Sequence, residues 1–413
     1  MGESRNNGTL TAIQRKKRDG ASWAVERVAT HEAARVRKAT GSSCVVTSGN
    51  SRPGNQAHNE YFLCLKDSPP VPWQQRPQYR GGLTYLDGAL QALDALIGAR
   101  NLTFFVTRDE KQLPRYGHDV VAVVIGDEWA RPPLYADRVR ATFKEYGANL
   151  TRPRFDIANP GLSLLTAMQY TRNLAARVPS AVRARASAAS PSPLPVVPIP
   201  LGYFNQVALP TRPLEERDVD VSFAGSVEHE PYGRFSLRRF TGTAKSRSRA
   251  AMLRALDRFS ALHPQYRCDV GVTTSYYSSA NTEAENYSER LMRARICLCP
   301  RGMSLETYRY FEAMRYGCIV IAEELPDHWF YHGSPAIDVR RWELLDEILA
   351  SLLSDRRRMQ QLHEESLRWW IDVCSENALG LYMAQLIDPS LANSHIADPS
   401  FQSRATAFHR STP

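Results

Sequence analysis

Residues 295–324, RICLCPRGMSLETYRYFEAMRYGCIVIAEE, constrain the fold more than any other stretch of the chain. The apolar run ICLC stops at Pro300, a Gly turn opens a helix at Ser304, that helix stops at Gly317, and a second apolar run follows. Strand, turn, helix and strand in succession build a parallel sheet covered by helices. Charge gathers at the turn, where unpaired backbone N–H groups and the helix dipole favour an anion such as a nucleotide pyrophosphate.

The rest of the chain repeats this grammar. At 413 residues it exceeds a comfortable single core, so two domains are expected. Residues 1–55, rich in Arg, Ser, Asn and Gly, read as a mostly disordered basic tail with one helical stretch near Trp23 to Lys38. Residues 56–178 alternate apolar runs (YFLCL, NLTFFVT, HDVVAVVIGDE) with helical patterns at 86–98, 134–146 and 161–177, the last carrying an apolar stripe at helical spacing. Residues 179–200, rich in Ala, Ser and Pro, read as a linker or surface loop. A second α/β domain is expected over 201–345, from VDVSFAGS through RAAMLRALDRF and YRCDVGVTT to the 295–324 segment. C-terminal helices follow at 346–390 and a disordered tail at 391–413.

Composition narrows the function. An apolar fraction of 43% and a charged fraction of 23% are those of a soluble globular protein. No run reaches the roughly eighteen apolar residues that span a bilayer, which still leaves peripheral membrane contact open. A basic N-terminus without an apolar segment behind it gives a cytoplasmic expectation. Seven scattered cysteines lack the spacing of a disulfide framework or zinc ribbon, and Cys297 and Cys299 should share one face of a strand as core. The net charge of +9 suits acidic ligands, but no nucleic-acid-binding motif accompanies it, which argues against nucleic acid as the partner. G-x-G-x-x-G, the P-loop, the G-x-S-x-G elbow and H-E-x-x-H are all missing.

What remains is the chemistry of 295–324. Ser304 reads as the N-cap, with Glu306 in the first turn and Arg309 and Glu312 three apart on one helix face. A cation near a helix N-terminus can clamp a phosphate, and a carboxylate further in can accept from ribose hydroxyls. Spacing alone fits an ordinary surface Arg–Glu pair better. The motif, however, resembles the C-terminal signature of exostosin-like glycosyltransferases (family 47), at Pro300, Arg301, Gly302, Thr307, Arg309, Glu312, Ala313, Gly317, Cys318 and Ile319. It departs from that family at Val320, where a proline is usual. The resemblance implies two Rossmann-like domains facing across a cleft (glycosyltransferase B-type) and reverses the reading of Arg309 and Glu312.

By the same resemblance, Arg309, aided by Arg301 and Ser304, would bind the pyrophosphate and Glu312 the ribose. Thr307 belongs to the matched motif. Gly225 and Ser226 would approach the phosphates, Gly permitting close backbone contact. Arg234, Arg247 and Arg249 lie downstream and fit a solvated helix face equally well. Glu306 either turns to a sugar hydroxyl or caps the helix. Asp127 and Glu128, after the VVAVVIG run, are the candidates for the catalytic base, with His118 a weaker one. The expected activity is sugar transfer from a nucleotide-sugar to a glycan or small-metabolite hydroxyl. It would be inverting, with Arg and helix dipole in place of a metal ion and no cofactor. The alternatives are a noncatalytic nucleotide- or glycan-binding relative and a basic nucleic-acid-binding protein.

Overall fold

The computed structural model describes residues 58–66, 68–76, 83–179, 182, 196–204, 206–227, 242–273 and 281–393. The expected basic tail with its helix near Trp23, most of the expected loop at 179–200, Arg234 and all but three residues of the expected C-terminal tail lie outside them.

The first half builds a six-stranded sheet from β1 (Glu60–Cys64), β2 (Val71–Pro72), β3 (Thr103–Thr107), β4 (Gly117–Val124), β5 (Val139–Glu145) and β6 (Val197–Ile199). Its spatial order is β2-β1-β3-β4-β5-β6, parallel except for the antiparallel edge strand β2. Helices α1 (Leu83–Ile97) and α2 (Pro160–Ala175) accompany it. Every residue of β3 is buried, as expected of a parallel strand covered on both faces. The helix expected at 134–146 is instead a 3-10 turn at Ala136–Arg138 followed by β5. Val139, Ala141 and Phe143 alternate with Arg140, Thr142 and Lys144. That period of two, rich in β-branched and aromatic residues, fits a strand lying between β4 and β6. The loop expected at 179–200 also ends differently, because Val197–Ile199 pairs with Phe143–Glu145 and closes the first sheet.

The second half is a five-stranded, wholly parallel sheet of β7 (Val219–Ser226), β8 (Cys268–Thr273), β9 (Ala294–Cys299), β10 (Ile319–Ala322) and β11 (Ile337–Asp338), in the order β11-β10-β9-β7-β8. Between its strands run α3 (Ala244–Leu262), α4 (Asn281–Arg293) and α5 (Tyr308–Arg315). Helix α3 starts at a capping box, Thr243 and Ser246 each bonding the other's backbone N–H. The chain leaves β7 to one side for β8 and then crosses to the other side for β9. The carboxyl ends of β7 and β9 thus form the topological switch point, where open α/β sheets hold ligands.

Two Rossmann-like halves are therefore followed by α6 (Leu345–Ser354), α7 (Arg356–Trp369), a π turn at Trp370–Cys374 and α8 (Glu376–Ile387). Helix α8 returns to pack on α1 of the first half. Gly380 permits this approach, since a Cβ there would lie 2.6 Å from the Ala92 Cβ and 2.7 Å from the Ala89 carbonyl oxygen. Cys297 and Cys299 share one face and enter the same buried apolar cluster, as the strand pattern requires. Among the described residues no helix is long and apolar enough to cross a membrane.

Candidate functional site

Strand β7 ends at Gly225 (φ 152°) and Ser226, and cations converge there from two helices. Lys245, in the first turn of α3, donates to Ser226 Oγ at 3.1 Å. One turn on, Arg249 donates to the Ser226 and Arg301 carbonyl oxygens. Arg309 from α5 lies against Gly225, where a Cβ would collide with its Nη2, and its guanidinium sits 4.7 Å from the Phe223 ring centroid. The backbone conformation and the contact both demand glycine. Arg309 is buried, and its Nε and Nη1 meet no hydrogen-bond partner among the described residues. Burial alone would lower its pKa, but Tyr287, Cys299, Cys297 and Glu312 raise it above the ordinary value, so the charge persists. Lys245 is pushed down to about 7, first by burial and then by Arg249. A buried guanidinium with two unpartnered nitrogens, beside two further cations at a switch point, is an arrangement that can take an anion.

Across from this cluster, the loop after β4 carries two adjacent carboxylates in different situations. Asp127 is buried and accepts from Arg131 N at 2.8 Å and Arg131 Nε at 3.0 Å, with the buried Lys144 ammonium 3.1 Å away. Burial pushes its carboxyl up, but Lys144 and Arg131 outweigh this and hold it below the usual range. Asp127 is thus a structural ion-pair partner and a poor proton acceptor. Glu128 is half-buried and lines the interdomain cleft, where it feels Lys245 and Arg249 of the opposite half. Burial keeps its pKa above the ordinary carboxylate value. His118 is exposed at the start of β4, far along the strand from this edge.

The cleft itself has a volume of 630 Å³ and is lined by Glu128, Arg301, Ser304 and Glu306 from the expected set, together with residues of α2. Arg309, Glu312, Gly225, Ser226 and Thr307 are not among its walls. The expected helix start at Ser304 moves to Tyr308, with Thr307 in the N-cap position but making no side-chain cap bond. Long-range partners draw the intervening residues out of the helix. Arg301 reaches α2, donating to Thr166 Oγ1 at 3.2 Å and Gln169 Oε1 at 2.9 Å. Glu306 turns into the interior, where Tyr331 donates to its Oε1 at 3.1 Å and His328 Nδ1 lies 3.4 Å away. Glu306 is therefore neither in a first helical turn nor a cap.

Glu312 shares the helix of Arg309, as expected, but both its oxygens are engaged. Oε1 accepts from Phe204 N at 3.0 Å and Oε2 from Tyr287 OH at 2.7 Å, which ties the crossing from the first half to α4 and α5. Arg247 lies on the α2 side of α3, where a Cβ on Gly161 would meet its guanidinium.

The family model of the RXYLT1 C-terminal domain matches residues 227–376. That stretch begins directly after Ser226 and contains Lys245, Arg249, Arg301, Arg309 and Glu312. No protein of curated function is similar enough to count as a match. Among solved structures, a GtfA/B complex aligns at 12% identity and a TM-score of 0.34, over 67% of this chain and 58% of its own. Sucrose-phosphate synthase from Thermosynechococcus elongatus aligns at 12% and 0.32, over 78% of this chain and 81% of its own. WaaG, a glycosyltransferase involved in lipopolysaccharide biosynthesis, aligns at 13% and 0.29, over 73% and 96%. These superpositions are loose, and the fold stands on the chain's own two sheets.

Sequence reasoning missed three charged residues here. Lys245 was findable, because Thr243 is a good N-cap and places Lys245 in the first turn. Lys144 and Glu145 were hidden inside the segment read as a helix. Glu145 accepts from Gly126 N at 2.7 Å and Tyr308 OH at 3.3 Å, linking the loop of Glu128 to the helix of Arg309, and burial pushes its pKa up to about 7. The chain also contains one Asp-x-Asp, Asp218-Val219-Asp220, where the sequence reading counts none and takes that absence as fitting a metal-independent mechanism. It lies at the amino end of β7, opposite Gly225, and is held by Arg267, Arg293 and Arg295. Among the described residues no cluster of His, Cys, Asp or Glu could hold a metal ion.

Proposed function

We propose that this chain transfers a sugar from a nucleotide-sugar to a hydroxyl acceptor, as an exostosin-like, inverting glycosyltransferase. The observation that carries the reading is the buried Arg309 guanidinium, with two unpartnered nitrogens, set against Gly225 at the switch point of the second sheet. The match to a xylosyltransferase-related family model over the same half supports it. Arg309, Lys245 and Arg249 take the diphosphate. Glu312 holds the frame in which Arg309 sits, and the ribose lies near it. Glu128 accepts the acceptor's proton while the acceptor oxygen bonds to the anomeric carbon. The bond from that carbon to the phosphate oxygen breaks, and its electron pair leaves with the nucleoside diphosphate, whose charge the three cations stabilise. Those cations serve in place of a divalent ion.

Calorimetry with UDP and GDP, followed by hydrolysis and transfer assays over a panel of nucleotide-sugars, tests this. Binding of one nucleotide with slow hydrolysis of its sugar conjugate is expected. Binding without any turnover would identify a noncatalytic relative, and no nucleotide binding at all would overturn the reading.

A further inference from the structure

Glu145 is a buried carboxylate that the proposed chemistry leaves unused. Among the described residues it forms no ion pair: the neighbouring Lys144 ammonium is engaged with Asp127, and Arg108 acts on Glu145 only from a distance. Its hydrogen-bond partners are two neutral donors from opposite halves, Gly126 N at 2.7 Å and Tyr308 OH at 3.3 Å, both on Oε2. A carboxylate satisfied in this way adds little adhesion, because its desolvation offsets most of what two neutral donors contribute. The halves adhere elsewhere. Trp329 donates to the Pro198 carbonyl oxygen at 2.9 Å and stacks on Tyr382 at 4.0 Å, and α8 packs on α1. What the two bonds of Glu145 do supply is position.

Both ends of this tie matter to the site. Gly126 (φ 74°) is exposed, so its N–H is shielded by the bond to Glu145 rather than by burial, and Glu128 follows two residues on. Tyr308 opens α5 and Arg309 is the next residue. The N-cap residue Thr307 makes no side-chain bond, so no local cap fixes the first turn of α5. Tyr308 anchors that turn instead, through Glu145 and through an edge contact with the Phe204 ring at 5.5 Å. The backbone N–H of Phe204 in turn donates to Glu312 on the same helix. One buried carboxylate thus joins the loop of the candidate base to the helix of the candidate phosphate ligand.

We infer that Glu145 is a positioning residue, which ties the loop carrying Glu128 to the first turn of α5 and so sets the base against the donor. The inference rests on the donor and base assignments proposed above. Tyr308→Phe cuts one arm of the tie and Glu145→Leu cuts both. Hydrogen exchange of the segment 126–130 in the unliganded full chain reads the tie without substrate, and it should quicken about fivefold or more in both variants. In transfer assays kcat should fall about fivefold in Tyr308→Phe and about a hundredfold in Glu145→Leu. Donor KM, and UDP affinity by calorimetry, should stay within about twofold of wild type, a split that general loosening of the fold would not give. Adding Tyr308→Phe to Glu145→Leu should lower kcat no further. Tyr308→Phe alone decides the matter if Glu145→Leu misfolds. Unaltered exchange, unaltered kcat, or a loss of UDP affinity matching the loss of kcat, in variants of a wild type that binds UDP and turns over, would overturn the inference alone. A wild type that binds no UDP, or binds it without turnover, would overturn the functional reading and the positioning role together.

Discussion

The loop after β4 and the carboxyl end of β7 lie near enough for Glu128 to feel Lys245 and Arg249, and both gather charge. They differ in whether that charge is already neutralised. After β4, Asp127 is surrounded by Lys144 and Arg131, so the carboxylate is consumed in holding the loop. After β7, Lys245, Arg249 and Arg309 crowd around Gly225 and Ser226, and no acidic side chain neutralises Arg309 at hydrogen-bond distance among the described residues. Buried charges are costly unless paired. The two unpartnered nitrogens of Arg309 are what the proposed function assigns to an anionic ligand, with Glu128 of the first half as the proposed base.

The largest expected effect separates Glu128 from its neighbour. Glu128→Gln should lower the transfer rate about 10²- to 10⁴-fold, the usual worth of a general base, with little change in melting temperature. Full activity in that variant would move the base elsewhere. Asp127→Asn should do the converse and destabilise the fold by about 3–5 kcal/mol in urea titrations, because Lys144 is left as an uncompensated buried charge. The sign of its pH dependence follows from a folded pKa held low. That stability is fully present above the ordinary Asp pKa of about 3.9 and is lost as the pH falls through the folded value. An Asp127→Asn protein as stable as wild type would break the contrast between the two edges.

Arg309→Met should weaken UDP or GDP binding by about 2 kcal/mol, roughly thirtyfold, while leaving the unliganded protein at least as stable, since a desolvated cation with unmet donors is removed. A large loss of unliganded stability with unchanged nucleotide affinity would make Arg309 structural. Lys245 provides a smaller and sharper test. Its folded pKa of about 7 lies below the unfolded value of about 10.4, so between those pH values the unfolded chain binds more protons and stability rises with pH. Diphosphate affinity should fall over the same range, by up to tenfold per pH unit, as the ammonium is lost. Calorimetry in buffers of differing ionisation enthalpy would detect the proton taken up on binding above pH 7. The smallest effect is expected from Tyr308→Phe, which removes one bond to Glu145 and should cost about 1 kcal/mol or less of stability.

Much of this molecule was legible in its residues. Short buried runs fixed most strands, the 295–324 segment marked its own strand–turn–helix–strand, and Arg309 and Glu312 fell on one helix. The misreadings have physical causes. Val139–Glu145 resembled a helix in isolation, and only flanking by β4 and β6 makes Thr142, Lys144 and Glu145 buried strand positions. Ser304 and Glu306 form a plausible helix start by composition, but Tyr331 and the α2 partners of Arg301 lie far off in sequence.

The sequence by itself determined the two parallel sheets, because apolar run length, turn residues and helical period act over a few positions. Tertiary structure decided which charges are neutralised. Asp127 and Glu128 are indistinguishable as neighbours, and Lys144, seventeen residues from one, and Lys245 and Arg249 of the other half, near the other, make their surroundings differ. It also decided which face of α2 is buried, against the helix's own apolar pattern. Neutralisation and burial depend on what arrives through space, and no local pattern encodes the arrival of a distant Lys144 or Arg301.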